Sequence, residues 1–517
     1  MTFEIVFVLL SLLGMMAALI ADKMRPGMVL FSVVVLFLCA GILTPKEMLE
    51  GFSNKGMITV ALLFLVSEGI RQSGTLGQVI KKLLPQGKTT VFKAQLRILP
   101  SVAFISAFLN NTPVVVIFAP IIKHWAKSVK LPATKFLIPL SYVTILGGIC
   151  TLIGTSTNLV VHGMILEAGY EGFTMFELGK VGIFIAIAGI IYLFIFSKRL
   201  LPDARPDTAV PDEEVEEGEK LHRVEAVLGA RFPGINKKLS DFNFQRHYGA
   251  EVKEIKTRNG QRYVDHLEDV VLREGDTLVV MADDTFIPTW GESSVFVLLT
   301  NGNDPDTSGK KKRWLALILL VLMIVAATVG ELPATKEMFP DIKLDMFFFV
   351  CITTIIMAWT NIFPARKYTK YISWDILITI ACAFAISKAM VNSGVADCVA
   401  GFIIGLSDDY GPHVLLAILF VITNLFTELI TNNAAAALAF PLALSISAQL
   451  GVSPTPFFVV ICMAASASFS TPIGYQTNLI VQGIGNYKFT DFVRIGLPLN
   501  IITFLISVIL IPLIWNF

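Results

Sequence analysis

"TSTNLVVHG" occupies Thr155–Gly163, and "TNLIVQG" occupies Thr477–Gly483. With the glycine preceding the first stretch, Gly154, Asn158 and Gly163 match Gly474, Asn478 and Gly483 at a constant offset of 320 residues. The offset continues upstream. "ITVALLFLVSEGIRQSG" (Ile58–Gly74) faces "ILITIACAFAISKAMVNSG" (Ile376–Gly394), with Ser67 and Ser73 matched by Ser387 and Ser393. Half of the chain is therefore written twice.

The surrounding sequence is apolar. Of 517 residues, 54% are hydrophobic and 16% charged, and the mean hydropathy is +0.70; a soluble domain is usually about a quarter charged. Apolar runs at Glu4–Ala21, Gly27–Leu43, Val181–Phe196, Trp314–Val329, Met346–Trp359, Ile376–Ala389 and Ile501–Trp515 suit a bilayer about 30 Å thick, the shorter ones with help from flanking residues. These runs predict an all-α polytopic membrane protein. The first run carries Glu4 and no small-residue cleavage site, so it reads as a span rather than a signal peptide. The net charge of +1 is spread unevenly and excludes no partner. Six cysteines lie in apolar segments without a CxxC pair, as thiols packing like small hydrophobes do.

Residues 201–313 break the pattern. An acidic linker, "PDEEVEEGEK" (Pro211–Lys220), leads to a helix-like piece at Lys238–Gly249 and period-2 stretches at Ala250–Gly260 and Glu274–Asp284. The expected organisation is a first membrane repeat at 1–200, a small α+β domain at 201–313 with its core near 220–290, and a second repeat at 314–517. Basic residues set the orientation. Placing Lys23/Arg25, Lys81/Lys82/Lys88, Lys123/Lys127/Lys130, Lys198/Arg199, Lys310–Arg313 and Arg366/Lys367/Lys370 inside puts both termini outside and the inserted domain in the cytoplasm. Val91–Ile122 and Val414–Ser447 must then enter and leave on one side. Each half is predicted to hold five spans, a re-entrant hairpin and a broken helix, the halves being inverted, as in many secondary transporters.

Four polar clusters interrupt the apolar sequence. They are "NNTP" (Asn110–Pro113), "TLIGTSTN" (Thr151–Asn158), "TNNA" (Thr431–Ala434) and "STPIGYQTN" (Ser470–Asn478). A one-residue gap aligns Asn111 with Asn432. Such side chains are costly at bilayer depth unless paired or facing water. One cluster alone would be explained by hydrogen bonding between helices. Four, matched by the repeat and three of them holding Gly or Pro, point to broken helices whose carbonyls suit Na⁺ and whose amide ends suit an anion.

Intramembrane acids are few: Glu68, Glu428 and Asp397. Glu428, four residues before Asn432, is expected to neutralise Lys388, cap the hairpin arm or touch a cation. Lys388 and Glu68, at matching span ends, are expected to snorkel. His162 lies near the outer end of a broken helix and His124 on the surface. No P-loop, HExxH or nucleophile elbow occurs, so no enzyme and no ATP-driven pump is expected.

At these residues the chain resembles the divalent anion:sodium symporter family of the ion transporter superfamily, which carries a Ser-Asn-Thr signature at each hairpin tip and a TPIGTPPN-like motif at each helix break. Here the tips read Asn110-Asn111-Thr112 and Thr431-Asn432-Asn433, and the second break reads Thr471-Pro472-Ile-Gly474-Tyr-Gln-Thr477-Asn478. The resemblance implies two Na⁺ sites, at Asn110, Asn111 and Gly154 and at Thr431, Asn432 and Gly474. It also implies an anion facing Asn111, Thr112, Asn432, Asn433, Thr471 and Pro472, with Thr155, Asn158, Thr477 and Asn478 supporting the breaks. Val224–Asp283 resembles the TrkA-C (RCK-C) regulatory domain, followed by an extra strand-like "SVFVLLT" (Ser294–Thr300). Such domains dimerise, and some bind a nucleotide second messenger such as cyclic di-AMP.

The expectation is a multi-pass inner-membrane symporter, with a Na⁺ gradient driving uptake of a small divalent anion, sulfate before dicarboxylate. By the resemblance it moves like an elevator against a scaffold that includes Gly27–Leu43 and Trp314–Met357 and forms a homodimer contact. Lipid is a partner; nucleic acid is not. Two alternatives stay open: a cation/proton antiporter or arsenite-type exporter of the same superfamily, and a ligand-sensing membrane receptor with little flux.

Overall fold

The computed structural model describes residues 3–21, 23–85, 87–203, 222–229, 231–257, 261–283, 286, 290, 295–300, 310–339, 342–405 and 411–517. The acidic stretch at 211–220 lies outside the described residues. Before the insert, with the shortest helical turns left unlabelled, the chain forms α1 (Phe3–Ala21), α2 (Pro26–Cys39), α3 (Lys55–Gln72), α4 (Thr75–Leu83), α5 (Val91–Ser106), α6 (Asn111–Ser128), α7 (Leu137–Gly148), α8 (Ser156–Glu167) and α9 (Gly179–Leu200). After it come α10 (Lys310–Gly330), α11 (Met346–Trp359), α12 (Trp374–Asn392), α13 (Val395–Gly405), α14 (Gly411–Leu429), α15 (Asn432–Leu450), α16 (Thr455–Ser466), α17 (Gln476–Gly485) and α18 (Phe489–Ile514).

The element order repeats. α2 and α11 begin at Pro26 and Met346, α4 and α13 at Thr75 and Val395, and α8 and α17 at Ser156 and Gln476, each pair 320 residues apart. α6 and α15 begin at Asn111 and Asn432, 321 apart, because one residue is inserted before the second tip. Even the turns correspond. Gly74 and Gly394 follow α3 and α12 with φ of +71° and +76°, a left-handed conformation that glycine adopts without steric cost.

Among the described residues, eight helices are long and apolar enough to cross a membrane, and several shorter apolar helices accompany them. The protein is a polytopic, mostly helical membrane protein. In lipid a helix satisfies its own backbone, which is why apolar runs take this form. The outer face of α9 presents Ile183, Phe184, Ile187, Ile191 and Ile195, all about half exposed, as a lipid-facing stripe does.

The two copies are interleaved. α2 packs on α12, and correspondingly α3 packs on α11; α8 meets α15, and α17 meets α6. Small residues permit the close approaches. A Cβ on Gly51 would lie 2.3 Å from the Ala381 carbonyl. Side chains finish the contacts: the Tyr192 hydroxyl donates to the Ile495 carbonyl at 3.0 Å.

The insert holds a five-stranded antiparallel sheet. Its strands are β1 (His222–Leu228), β2 (Glu251–Lys256), β3 (Arg262–Tyr263), β4 (Thr277–Ala282) and β5 (Phe296–Thr300), in spatial order β3-β2-β4-β1-β5. The helix-like piece at 238–249 forms a short helix, Phe244–Tyr248. Phe232, Phe242, Phe244, Tyr248 and Phe296 pack as an aromatic core. The sheet docks on transmembrane elements. Lys123 of α6 pairs with Glu225 of β1 at 3.0 Å. The Arg231 guanidinium donates to the Ile372 carbonyl at 3.1 Å. Gly275, next to β4, has no room for a Cβ beside Leu479 of α17.

Candidate functional site

Each repeat contains a helix that stops and restarts. Between α7 and α8, and between α16 and α17, the backbone leaves the helix over residues that include Gly154 in one repeat and Pro472 and Gly474 in the other. Broken helices free carbonyl groups that must find partners. Asn158 Nδ2 donates to the Thr151 carbonyl at 2.8 Å, and Asn478 Nδ2 to the Thr471 carbonyl at 3.1 Å. Thr151 Oγ1 donates to the Ala107 carbonyl and accepts from Gly154 N at 3.1 Å. Thr471 Oγ1 donates to the Glu428 carbonyl at 3.0 Å and accepts from Gly474 N at 3.3 Å. The same four-residue device is built twice.

Against each break stands a tip, the turn that opens α6 or α15. Ser106 Oγ donates to Asn111 Oδ1 at 2.7 Å, and Thr427 Oγ1 lies 2.8 Å from Asn432 Oδ1. A Cβ on Gly148 would lie 2.7 Å from Asn111 Oδ1 and 3.1 Å from the Gly154 carbonyl oxygen. A Cβ on Gly474 would lie 2.1 Å from Ser468 Oγ and 2.4 Å from the Thr427 carbonyl oxygen. Two cradles result, lined by amide, hydroxyl and carbonyl oxygens, a donor set that suits a small hard cation. Thr431 Oγ1, at the second tip, is buried without a hydrogen-bond partner.

The two repeats close on each other. Thr112 Oγ1 of the first tip lies 3.3 Å from Gln476 Oε1 of the second break. Conversely, Asn433 Oδ1 of the second tip accepts from Ser156 Oγ of the first break at 3.2 Å. Tyr475 joins all four parts. Its hydroxyl accepts from Asn111 Nδ2 at 2.5 Å, lies 3.1 Å from Thr155 Oγ1 and has the Asn432 side chain beside it. The first turns of α6, α8, α15 and α17 thus meet. None of the four N-cap side chains, Asn110, Thr155, Thr431 or Tyr475, caps its own helix. Each helix N-terminus carries roughly half a positive charge. The four polar clusters contain no charged residue. The helix ends bring partial positive charge to the meeting point without a cationic side chain in the clusters, an arrangement that can bind a small anion through backbone and amide N–H groups.

The citrate transporter model, CitMHS, matches residues 16–447 and again 338–517. The chain belongs to the citrate transporter family. An uncharacterised transporter of Synechocystis sp. is 29% identical over 94% of this chain and 93% of its own length. Sodium/sulfate cotransporter 2 of Chlamydomonas reinhardtii is 30% identical over 54% of this chain and 31% of its own. A sodium-dependent dicarboxylate transporter of Staphylococcus saprophyticus is 25% identical over 28% of each chain.

In this member of the citrate transporter family, the structure gathers Asn111, Thr112, Asn432, Asn433 and Thr155 at one point. It sets Asn110 and Thr431 at the helix starts and Gly154 and Gly474 in the cradles. Thr471 turns back into its own repeat, and neighbouring Pro472 is buried. Thr477 and Asn478 tie α17 to Ser141 of α7 at 2.9 and 2.7 Å. The sequence reading passed over Ser106, Ser156, Thr427, Tyr475 and Gln476. Ser106 and Thr427 were within reach, since each precedes a tip asparagine by five residues.

One expectation about charge is corrected. Glu428 does not neutralise Lys388. Its Oε1 accepts from Ser470 N at 2.8 Å and Asn500 Nδ2 at 2.7 Å, which fixes the second break against α18. Glu68 also has a local partner: it pairs with Arg71 one helical turn away at 2.6 Å, which neutralises both charges.

Proposed function

We propose that the protein is a secondary active symporter in which a Na⁺ gradient drives uptake of a small divalent anion, sulfate before dicarboxylate. The carrying observation is the meeting of four uncapped helix N-termini between two oxygen-lined cradles. Roughly half a charge from each helix gives about two positive charges, matched to a divalent anion. Dipoles reinforced by co-bound Na⁺ also weaken when the cations leave, which favours release. The named relatives support a Na⁺-coupled anion cycle.

In this reading, Asn111, Ser106 and the Gly148 and Gly154 carbonyls take the first Na⁺. Asn432, Thr427, Thr431 and the break at Gly474 take the second. Thr112 and Asn433 face the anion beside them. The hairpins and broken helices move together against a dimeric scaffold that includes α2, α10 and α11. The insert is cytoplasmic, acts as a TrkA-C-like assembly or sensing domain, and bears on the moving part through α6 and α17.

The test is uptake of labelled sulfate into proteoliposomes with and without an inward Na⁺ gradient, with succinate as competitor. Sulfate accumulation that needs the Na⁺ gradient is the expected result. Succinate entry without sulfate entry would keep the mechanism and change the substrate. Transport driven only by a pH gradient would assign the protein to the antiporter class.

A further inference from the structure

The two repeats differ at the point where they meet. Thr155 and Tyr475 are counterparts, 320 residues apart. Each stands at the N-cap of its half-helix with nearly the same backbone, φ −138° and ψ 146° at Thr155 against φ −131° and ψ 131° at Tyr475. Their side chains leave equivalent positions in equivalent ways. One ends in a hydroxyl on Cβ, the other carries a phenol a full ring longer. The ring is buried. Its hydroxyl touches Asn111, Thr155 and Asn432 at once, and the two asparagines are the first residues of α6 and α15. A buried aromatic side chain covers roughly 150–250 Å². The space that a second threonine would leave open between the tips is therefore filled from one side by this ring.

We propose that Tyr475 is a specificity-determining residue whose ring limits the anion held between the hairpin tips to a compact oxyanion such as sulfate and excludes extended di- and tricarboxylates. The inference rests on the transporter reading and sharpens its substrate class. Selection works by exclusion: the amide ends attract any dianion, and only a rigid obstacle separates a compact one from a chain-like one. The hydroxyl has a second part. It accepts from Asn111 Nδ2, so its own proton is available to Thr155, Asn432 or an anion oxygen. Through that bond it positions Asn111, with Asn432 beside it.

Wild-type protein, Y475T and Y475F are reconstituted, and Na⁺-driven initial rates are measured for sulfate, succinate and citrate. Y475T restores the threonine of the first repeat. Its succinate-to-sulfate rate ratio is expected to rise about ten-fold or more. Y475F keeps the ring, so its ratio is expected to stay at the wild-type value while its KM for sulfate rises several-fold and kcat changes little. A Y475T ratio within about two-fold of wild type overturns the inference and leaves the transporter reading intact. A raised succinate ratio in Y475F also overturns it, and this holds even if Y475T fails to fold. Wild-type vesicles that prefer citrate to sulfate overturn the inference alone. Wild-type vesicles that move none of the three anions overturn both.

Discussion

Glu225 of β1 lies between Lys123 of α6 at 3.0 Å and Lys256 of β2 at 3.3 Å. Burial raises its carboxyl, but the two ammonium groups outweigh burial and hold it at about 2, against an ordinary 4.5. That fall corresponds to about 3 kcal/mol, close to the roughly 3–5 kcal/mol cost of removing one partner from a buried pair. The folded value lies below the unfolded one, so the stabilisation is complete above pH 4.5 and is lost as pH falls towards 2. Glu225→Gln should therefore loosen the insert from the arm that carries Asn111. Hydrogen exchange at β1 amides that open locally should accelerate by up to about 100-fold at neutral pH, the rate equivalent of about 3 kcal/mol. Lys123→Met should act in part through the same bond, so the double variant should fall short of the sum of the singles by more than about 0.5 kcal/mol. The first thermal transition of the wild type should be flat from pH 7 to pH 5 and drop below pH 4.5, and Glu225→Gln should lack the drop. Exchange within about three-fold of wild type, with strict additivity in the cycle, would refute the interlock.

Thr431→Ala removes a buried hydroxyl with no protein partner. It should leave thermal stability within about 0.5 kcal/mol of wild type while raising the Na⁺ concentration for half-maximal uptake several-fold. Gly474→Ala forces a Cβ to 2.4 Å from the Thr427 carbonyl, and the backbone shift should cost about 1–3 kcal/mol, read as a lower melting temperature that extra Na⁺ does not restore. Glu428→Gln keeps an Oε1 acceptor for Ser470 N and Asn500 Nδ2 and should retain Na⁺-driven uptake, whereas Glu428→Ala should lose it; an inactive glutamine variant would favour a proton-coupled cycle.

The duplication, the breaks and the asparagines that open α6 and α15 were legible in the sequence because lipid punishes polar residues. Asn111 and Asn432 stand out only where their neighbours are apolar, and the 320-residue offset ties them together without any structure. Partners across the repeat were not legible. The Tyr475 hydroxyl meets Asn111 from 364 positions away, and a motif read locally shows tyrosine only as a bulky departure from its neighbours. Glu428 finds Asn500 at a separation of 72, which no helical periodicity signals. The local pair of Glu68 was hidden for another reason. Its partner Arg71 lies one turn on, but a charge at a span end reads equally as a snorkelling group. Lys123 was read as one of a cluster marking the inside face, and its role in docking the insert needed the position of β1.

On the proposed reading, Asn111 has two tasks that cannot be separated in sequence but are separate in space. Asn111 turns Oδ1 towards Ser106 and the Gly148 cradle and turns Nδ2 towards Tyr475 and the meeting point. A cation in the cradle would pull on the oxygen, polarise the amide and make the opposite N–H a stronger donor to an anion, besides adding its own charge to the field of the helix ends. Cation and anion would then each favour the binding of the other, as linkage requires. Asn111→Asp separates the tasks. It keeps an oxygen for the cradle and adds negative charge there, but it has no N–H to give. Na⁺ alone should still stabilise this variant against heat, and by at least as much as it stabilises wild type. Sulfate should add nothing, where in wild type it adds a further shift. If sulfate stabilised the aspartate variant as it does wild type, the amide would not be the link between the two sites, and the coupling would have to run through the helix ends alone.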